Sequence, residues 1–301
     1  MCIEGGADCA YTEMVSAAAL LHGHGPTRHL MERMEGEGPL VCQIFGSTDE
    51  EAAFAAREIE KVKDRFCGID LNAGCPMPRI IKSGAGASLV TDPARVFRML
   101  SAMRENTSLP VSLKTRLGPH RGVKTIFELA SAAESAGAVS IAVHARYTSQ
   151  MHGGPVDLET LAELKSRTGL EVLGNGSVRT SGDLDAMLAT GVDGVMVGRA
   201  ALSDPFVFSR LKGIAQTPPA DPVSMAERHL GYILRFRRLL EEKHPADHVP
   251  GEDAFASVKM HLHLFRYFNG LPGAAKLRAG LSSIRTLDGI RQAFIAFASA
   301  I

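Results

Sequence analysis

Short apolar runs recur along the chain at a spacing that leaves room for one helix between each pair, and this alternation restricts the fold more than any other feature. The runs lie at Ala10–Met14, Leu40–Phe45, Gly68–Asn72, Pro110–Thr115, Val139–His144, Glu171–Gly174 and Gly194–Val197. They are mostly continuous rather than alternating, as strands covered on both faces should be. Helical signals fill the gaps. Thr48-Asp49-Glu50-Glu51 reads as a capping box opening a helix to about Asp64. Asp92–Arg104, Thr125–Ala136 and Asp157–Thr168 read as further helices, and Thr180 or Ser181 caps another that Gly191 ends. Strand, helix, strand at this spacing means parallel βαβ units. Seven strands in succession predict a (β/α)8 TIM barrel with one strand unaccounted for. A doubly wound sheet is the rival, but the Gly-rich first turn that usually announces it is absent.

The rhythm breaks at Thr217-Pro218-Pro219-Ala220-Asp221-Pro222, which reads as a linker. Beyond it Val223–Glu242, Glu252–Phe268, Gly273–Leu281 and Thr286–Ala298 read as helices, a small all-helical C-terminal domain. The expected division is therefore 1–216 for the barrel and 223–301 for the helices.

In a barrel of this kind the active site gathers at the carboxyl ends of the strands. Strand by strand those ends offer Glu13, Gln43, Asn72 with Cys75, Lys114 with Arg116, His144 with Arg146, Asn175 with Gly176, and Gly198 with Arg199. Any one polar residue can sit at a strand end for no functional reason; seven ends in succession are poorly explained that way. The set is cationic and rich in donors, and suits a ligand with a phosphate and a polar heteroaromatic ring. Gly174-Asn175-Gly176-Ser177 and Val197-Gly198-Arg199-Ala200 each lead into a helix, whose free N–H groups favour an anion. Cys75, in the loop Asn72-Ala73-Gly74-Cys75-Pro76, can serve as nucleophile or general acid. A thiol is mostly protonated at neutral pH, which favours proton donation.

The chain has 33 Lys+Arg and 33 Asp+Glu, so net charge points to no polyanionic partner, although a local basic face can exist. Its five cysteines form no CxxC, and an HExxH, a Walker loop and a glycosidase-type carboxylate pair are also missing. Neither a disulfide framework nor a metal site is expected, and a reducing cytoplasm fits best. No apolar run approaches the ~20 residues of a membrane span, so no membrane partner is expected.

Together these residues resemble the tRNA-dihydrouridine synthases. The likeness runs through Thr12-Glu13-Met14, Gln43-Ile44-Phe45-Gly46, Asp70-Leu71-Asn72-Ala73-Gly74-Cys75-Pro76, Lys82 with Gly84-Ala85-Gly86-Ala87-Ser88-Leu89, Leu113-Lys114-Thr115-Arg116, Val143-His144-Ala145-Arg146, Gly174-Asn175-Gly176 and Val197-Gly198-Arg199-Ala200. The Asn-x-Gly-Cys-Pro element with the Gly-Ala stretch is specific; the others are shared with further flavin barrels. The resemblance implies an FMN-dependent enzyme that reduces tRNA uridines to 5,6-dihydrouridine with NADPH or NADH. By that likeness Gln43, Lys114 and His144 contact the flavin, while Asn175, Gly176, Ser177, Gly198 and Arg199 hold its phosphate. Cys75 is then the general acid, and Asn72 and Arg146 lie on the substrate side. Ser177 stands where the family usually carries an acidic residue. The helical domain is expected to grip tRNA with a basic stripe of Lys259, His263 and Arg266, joined by Arg228, Arg235 and Arg238.

Two alternatives remain at this point: a flavin barrel reducing a free pyrimidine, and a catalytically impaired tRNA-binding fragment. The second arises because Gly6-Ala7-Asp8 comes almost at once, as if the first βα unit of roughly 20–35 residues were missing and Met1 were an internal methionine. A monomer is expected.

Overall fold

The structure is a computed structural model and describes residues 1–214, 221–268 and 283–298. It divides into two compact units, one Asp8–Gly198 and the other Met1–Ala7 with Arg199–Ile301.

The first unit is a parallel sheet of barrel type. Its strands are β1 (Ala10–Tyr11), β2 (Val15–Ser16), β3 (Leu40–Phe45), β4 (Gly68–Ala73), β5 (Val111–Arg116), β6 (Ser140–His144), β7 (Glu171–Asn175) and β8 (Gly194–Met196). The order is β1-β3-β4-β5-β6-β7-β8, and β2 also pairs with β3. Seven strand positions are therefore filled, as the apolar runs predict. The one departure is Ala10–Met14, expected as a single strand. Tyr11 and Val15 stand opposite Val41 and Ile44, so four steps on one chain match three on the other. That extra residue is a bulge, and it splits the strand. The Thr12 N–H still reaches the Val41 carbonyl at 3.0 Å, and the Thr12 hydroxyl accepts the Gln43 N–H at 3.0 Å.

Helices fill the crossovers as their caps dictate. They include α1 (Ala17–Leu21), α2 (Gly25–Arg28), α3 (Asp49–Glu60), α4 (Pro78–Lys82), α5 (Pro93–Asn106), α6 (Ile126–Ser135), α7 (Leu158–Arg167) and α8 (Ser181–Leu188). Thr48, Asp92 and Asp157 accept the N–H groups of Glu51, Arg95 and Thr160. Thr180 and Asp183 form a reciprocal capping box. Gly191 follows α8 at φ +83°, where a side chain would be strained. Alternate strand residues Ile44, Leu71, Leu113, Ile141, Val143 and Val172 are wholly buried, the apolar half of each strand's period of two.

The second unit holds α9 (Arg199–Ser203), α10 (Val207–Leu211), α11 (Pro222–Lys243), α12 (Glu252–Tyr267) and α13 (Leu287–Ala298). Phe206, Leu230, Ile233, Phe255, Met260, Phe268, Ile290 and Phe294 form its core. Asp221 caps α11 by accepting the Val223 and Ser224 N–H groups at 2.8 and 2.9 Å, and Pro222 needs no partner at the first helical position. The expected helix Gly273–Leu281 and the linker residues 217–220 lie outside the described residues. The division falls at Gly198/Arg199 rather than at the linker, because α9 and α10 pack with the helices. The Met1–Ala7 turn joins them: the Gly5 carbonyl accepts both the backbone N–H and the hydroxyl of Ser209, at 2.9 and 2.5 Å.

Candidate active site

On the face opposite these apolar residues the same strands carry a run of polar side chains, interrupted by Ala142 and Leu173. Gln43 stands opposite Asp70, Asn72 opposite Lys114, Arg116 opposite His144, and His144 opposite Asn175. Because register keeps neighbours on one face, these side chains share one surface of the sheet. Buried polar groups must satisfy their hydrogen bonds, and Gln43, Asp70 and Asn72 do so with one another and with Ser112. The Asn72 amide donates to Gln43 Oε1 at 2.9 Å, Gln43 Nε2 donates to Asp70 Oδ2 at 2.8 Å, and the Ser112 hydroxyl donates to Asp70 Oδ1 at 2.6 Å. Asp70 is wholly buried, and that burial raises its carboxyl to about 6 against the pull of Ser112, Gln43 and Lys114. Burial lowers the Lys114 ammonium, which Asp70 partly offsets. Asp70 and Ser112 are not among the site residues expected from the sequence. Their only signal is a charged residue inside the apolar run Gly68–Asn72.

The same Asn72 shapes the loop that carries the thiol. Asn72 Oδ1 accepts the N–H of Gly74 at 3.2 Å and of Cys75 at 3.0 Å. Gly74 passes so close to β5 that a Cβ there would lie 3.1 Å from the Thr115 carbonyl carbon. Gly86 packs from the other side. At φ +59°, its missing Cβ would sit 2.7 Å from Ile80 Cγ2 and 2.8 Å from the Cys75 carbonyl. Ala87 N–H donates to that carbonyl at 2.9 Å. The Gly-Ala stretch is thus the bed on which a half-buried Cys75 rests. Arg116, buried to 2% exposure, closes the third side: Nε donates to the Gly74 carbonyl at 2.7 Å and one guanidinium NH to the Met151 carbonyl at 2.8 Å. Burial lowers Arg116 to about 10, so it is cationic at neutral pH.

At the end of β6, His144 and Arg146 are both buried, and an Arg146 guanidinium NH lies 3.1 Å from His144 Nε2. A guanidinium only donates, so Nε2 accepts and the ring proton sits on Nδ1. Burial first, then Arg116, Lys114 and Arg146, lowers His144 to about 2, which keeps the ring neutral. Arg146 also donates to the Gly153 and Gly154 carbonyls and, at 2.6 Å, to the Ser177 hydroxyl. It therefore fastens the β7 loop to the β6 loop. That loop has two consecutive positive-φ residues, Gly176 at +130° and Ser177 at +61°. At Gly176 a Cβ would meet the His144 ring at 3.0 Å and Val156 at 2.9 Å. Asn175 is held by its amide donating to the Met196 carbonyl at 2.6 Å. Beyond β8, a Cβ on Gly198 would meet nothing within 4 Å.

Gln43, Asn72, Lys114, His144, Asn175 and the loops bearing Cys75, Arg146, Gly176 and Ser177 thus belong to one polar face and its rim. Arg199 begins α9 in the helical unit. Lys259 and Arg266 lie on α12 and are half-buried. His263, expected between them on a basic stripe, packs its ring 4.4 Å from that of His229 and 6.5 Å from that of Tyr267. The exposed cations of the helical unit include three on α11: Arg228 pairs with Glu4 at 3.1 Å, Arg235 lies 4.4 Å over the Tyr232 ring, and Arg238 faces Glu252 at 3.9 Å.

A face of this kind can hold a planar, electron-accepting heterocycle against a lysine and a neutral histidine, with an anion at the β7 loop and a thiol at the rim. No helix among the described residues is long and apolar enough to cross a membrane. The family model described as dihydrouridine synthase (Dus) matches residues 1–300. The chain is 33% identical over 283 residues to a "Probable tRNA-dihydrouridine synthase" of Mycobacterium tuberculosis (strain CDC 1551 / Oshkosh), covering 92% of this chain and 70% of that one. It is 34% identical over 236 residues to the protein of that name from Treponema pallidum (strain Nichols), covering 75% and 69%. It is 29% identical over 280 residues to "tRNA-dihydrouridine synthase B" of Pseudomonas syringae pv. tomato (strain ATCC BAA-871 / DC3000), covering 93% and 80%.

Proposed function

The chain belongs to the dihydrouridine synthase family, and from that premise we propose that it reduces uridines of tRNA to 5,6-dihydrouridine, with Cys75 as the proton donor. The observation that supports this reading most is the seating of Cys75. Its thiol is carried at the rim of a polar strand face by a loop that Asn72, Gly86 and Arg116 fix on three sides.

The residues present fit a flavin mononucleotide. Lys114 and the Nδ1–H of His144 supply a cation and a donor for the electron-rich edge of the ring, and Gln43 is held beside them by Asp70. The loop at Gly176 and Ser177 is tied down by Arg146 and suits the phosphate, with Gly198 and Arg199 as the next elements in sequence. FMN, when bound, supplies the hydride for C6 of the uridine after reduction by NADPH or NADH. The chain's own residues do the rest. Cys75 Sγ gives a proton to C5, which balances the hydride and leaves the ring saturated across C5–C6. Arg116 remains charged beside the loop, and burial together with Arg116, Lys114 and Arg146 keeps the His144 ring neutral, so no imidazolium acts as the acid there. Asn72, expected on the substrate side, also holds the loop from within. The target uridine must leave its stack to reach the rim, at a cost of a few kcal/mol.

The test is direct. The purified chain, given FMN, NADPH and tRNA lacking dihydrouridine, should yield a nucleoside two hydrogens heavier than uridine at defined positions. Reduction of free uracil with untouched tRNA would move the assignment to a free-pyrimidine reductase.

A further inference from the structure

Two cysteines away from the polar face stand side by side. Cys9 directly precedes β1 and Cys67 directly precedes β4, and β3 lies between those strands in the sheet. Their Sγ atoms are 3.8 Å apart although the residues are 58 positions apart in sequence, and both are exposed. The sheet itself creates this meeting. Cys67 N–H donates to the Leu40 carbonyl at 2.9 Å, and Ala10 N–H donates to the Pro39 carbonyl at 2.9 Å, so both thiols are anchored under the start of β3. Of the other three cysteines, Cys42 is buried and Cys2 and Cys75 are half-buried.

We propose that Cys9 and Cys67 form a thiol–disulfide exchange site that reacts with low-molecular-weight disulfides. The sulfur of Cys67, as thiolate, attacks one sulfur of a disulfide R–S–S–R. It forms a mixed disulfide and releases one RSH. The sulfur of Cys9 then attacks that of Cys67 and releases the second RSH. Two protein thiols are oxidised, one external disulfide is reduced, and the two thiol protons leave with the two RSH molecules. Partial burial and the neighbouring Cys67 thiol raise Cys9 to about 12, so Cys67 attacks first; once Cys67 is a mixed disulfide, its charge no longer opposes ionisation of Cys9, which then resolves the bond. Bond formation requires the sulfurs to close from 3.8 Å to about 2.05 Å. Cys9 directly precedes a two-residue strand at the end of the sheet order, so the shift falls at that strand's start rather than at the central strands. The bond would tie that edge to β4 across β3. It would also fix the approach to Thr12, whose hydroxyl receives the Gln43 N–H.

The experiment treats the folded full chain with glutathione disulfide. Peptides are then mapped after trypsin and a protease cutting before aspartate, which separates Cys2 from Cys9 at Asp8 and Cys67 from Cys75 at Asp70. The expected product is one internal disulfide, Cys9 to Cys67, with a melting temperature several degrees above that of the reduced chain, a rise that dithiothreitol reverses. Cys9→Ser and Cys67→Ser should each abolish that rise, while Cys2→Ser should retain it. Glutathione held as a mixed disulfide on either residue without the internal bond would overturn the proposal. So would a rise that persists in Cys9→Ser, or the absence of any reaction. None of these outcomes depends on the reductase reading.

Discussion

Asn72 accepts the Cys75 N–H on its side-chain oxygen at 3.0 Å while its amide donates to Gln43 at 2.9 Å. One side chain therefore sets both the thiol-bearing loop and the residue expected against the flavin. Replacing it by Ala frees the loop and leaves the Gln43 amide oxygen without its donor. Asn72→Ala should lower the rate of uridine reduction by about 10²-fold, the scale of a misplacement near 1 Å. Cys75 should then react faster with a thiol reagent such as DTNB. An unchanged thiol reactivity would show that the loop does not depend on Asn72.

Gly86 makes a sharper structural test. Its φ of +59° and the 2.8 Å approach to the Cys75 carbonyl leave no room for a methyl group. Gly86→Ala should cost about 1–3 kcal/mol of stability, measured by urea unfolding, with activity falling alongside. Gly122, at φ +90° with nothing within 4 Å, is the control, since its substitution meets only backbone strain.

Asp70 predicts a pH dependence. Its carboxyl is raised to about 6, so the folded chain binds a proton that the unfolded chain, near the ordinary ~3.9, has already released. Between those values stability falls as pH rises, by about 2–3 kcal/mol in total, and is greatest at the acid end of the window. Asp70→Asn should remove this component. Urea unfolding of parent and variant at pH 4.5 and 7 measures it as the difference of differences. Equal pH slopes in the two proteins would contradict it.

The helical unit predicts which cations meet tRNA. Arg235 and Arg238 are exposed on α11, whereas Lys259 and Arg266 on α12 are half-buried. Arg235→Ala with Arg238→Ala should reduce the salt slope of tRNA binding by ~0.7–0.9 for each phosphate no longer neutralised. Lys259→Ala with Arg266→Ala should change it less. Filter binding across a salt series decides between the two stripes.

Much of the barrel is legible in the sequence because covered strands must be apolar and continuous, and because caps such as Thr48, Asp92 and Thr180 are local. The bulge between Tyr11 and Val15 is not, since a one-residue mismatch exists only relative to β3. Asp70 shows the limit for the site. Its partners Gln43 and Ser112 lie 27 and 42 residues away, so no spacing along the chain marks it. His263 shows the limit for the helices: periodicity places it on a stripe with Lys259 and Arg266, but not against the His229 ring that packs on it. Gly86 is visible in the sequence only as one residue of a Gly-Ala stretch, and the packed structure makes it the support of Cys75.

In the proposed reaction Cys75 delivers the proton to C5. The measurement that tests it loads parent and Cys75→Ala with FMN, reduces both anaerobically with NADPH, and follows flavin reoxidation on adding tRNA lacking dihydrouridine. Both proteins should bind FMN and be reduced alike, and the variant should pass its electrons to tRNA about 10²–10⁴-fold more slowly. Equal reoxidation rates, with equal dihydrouridine in the recovered tRNA, would contradict the account.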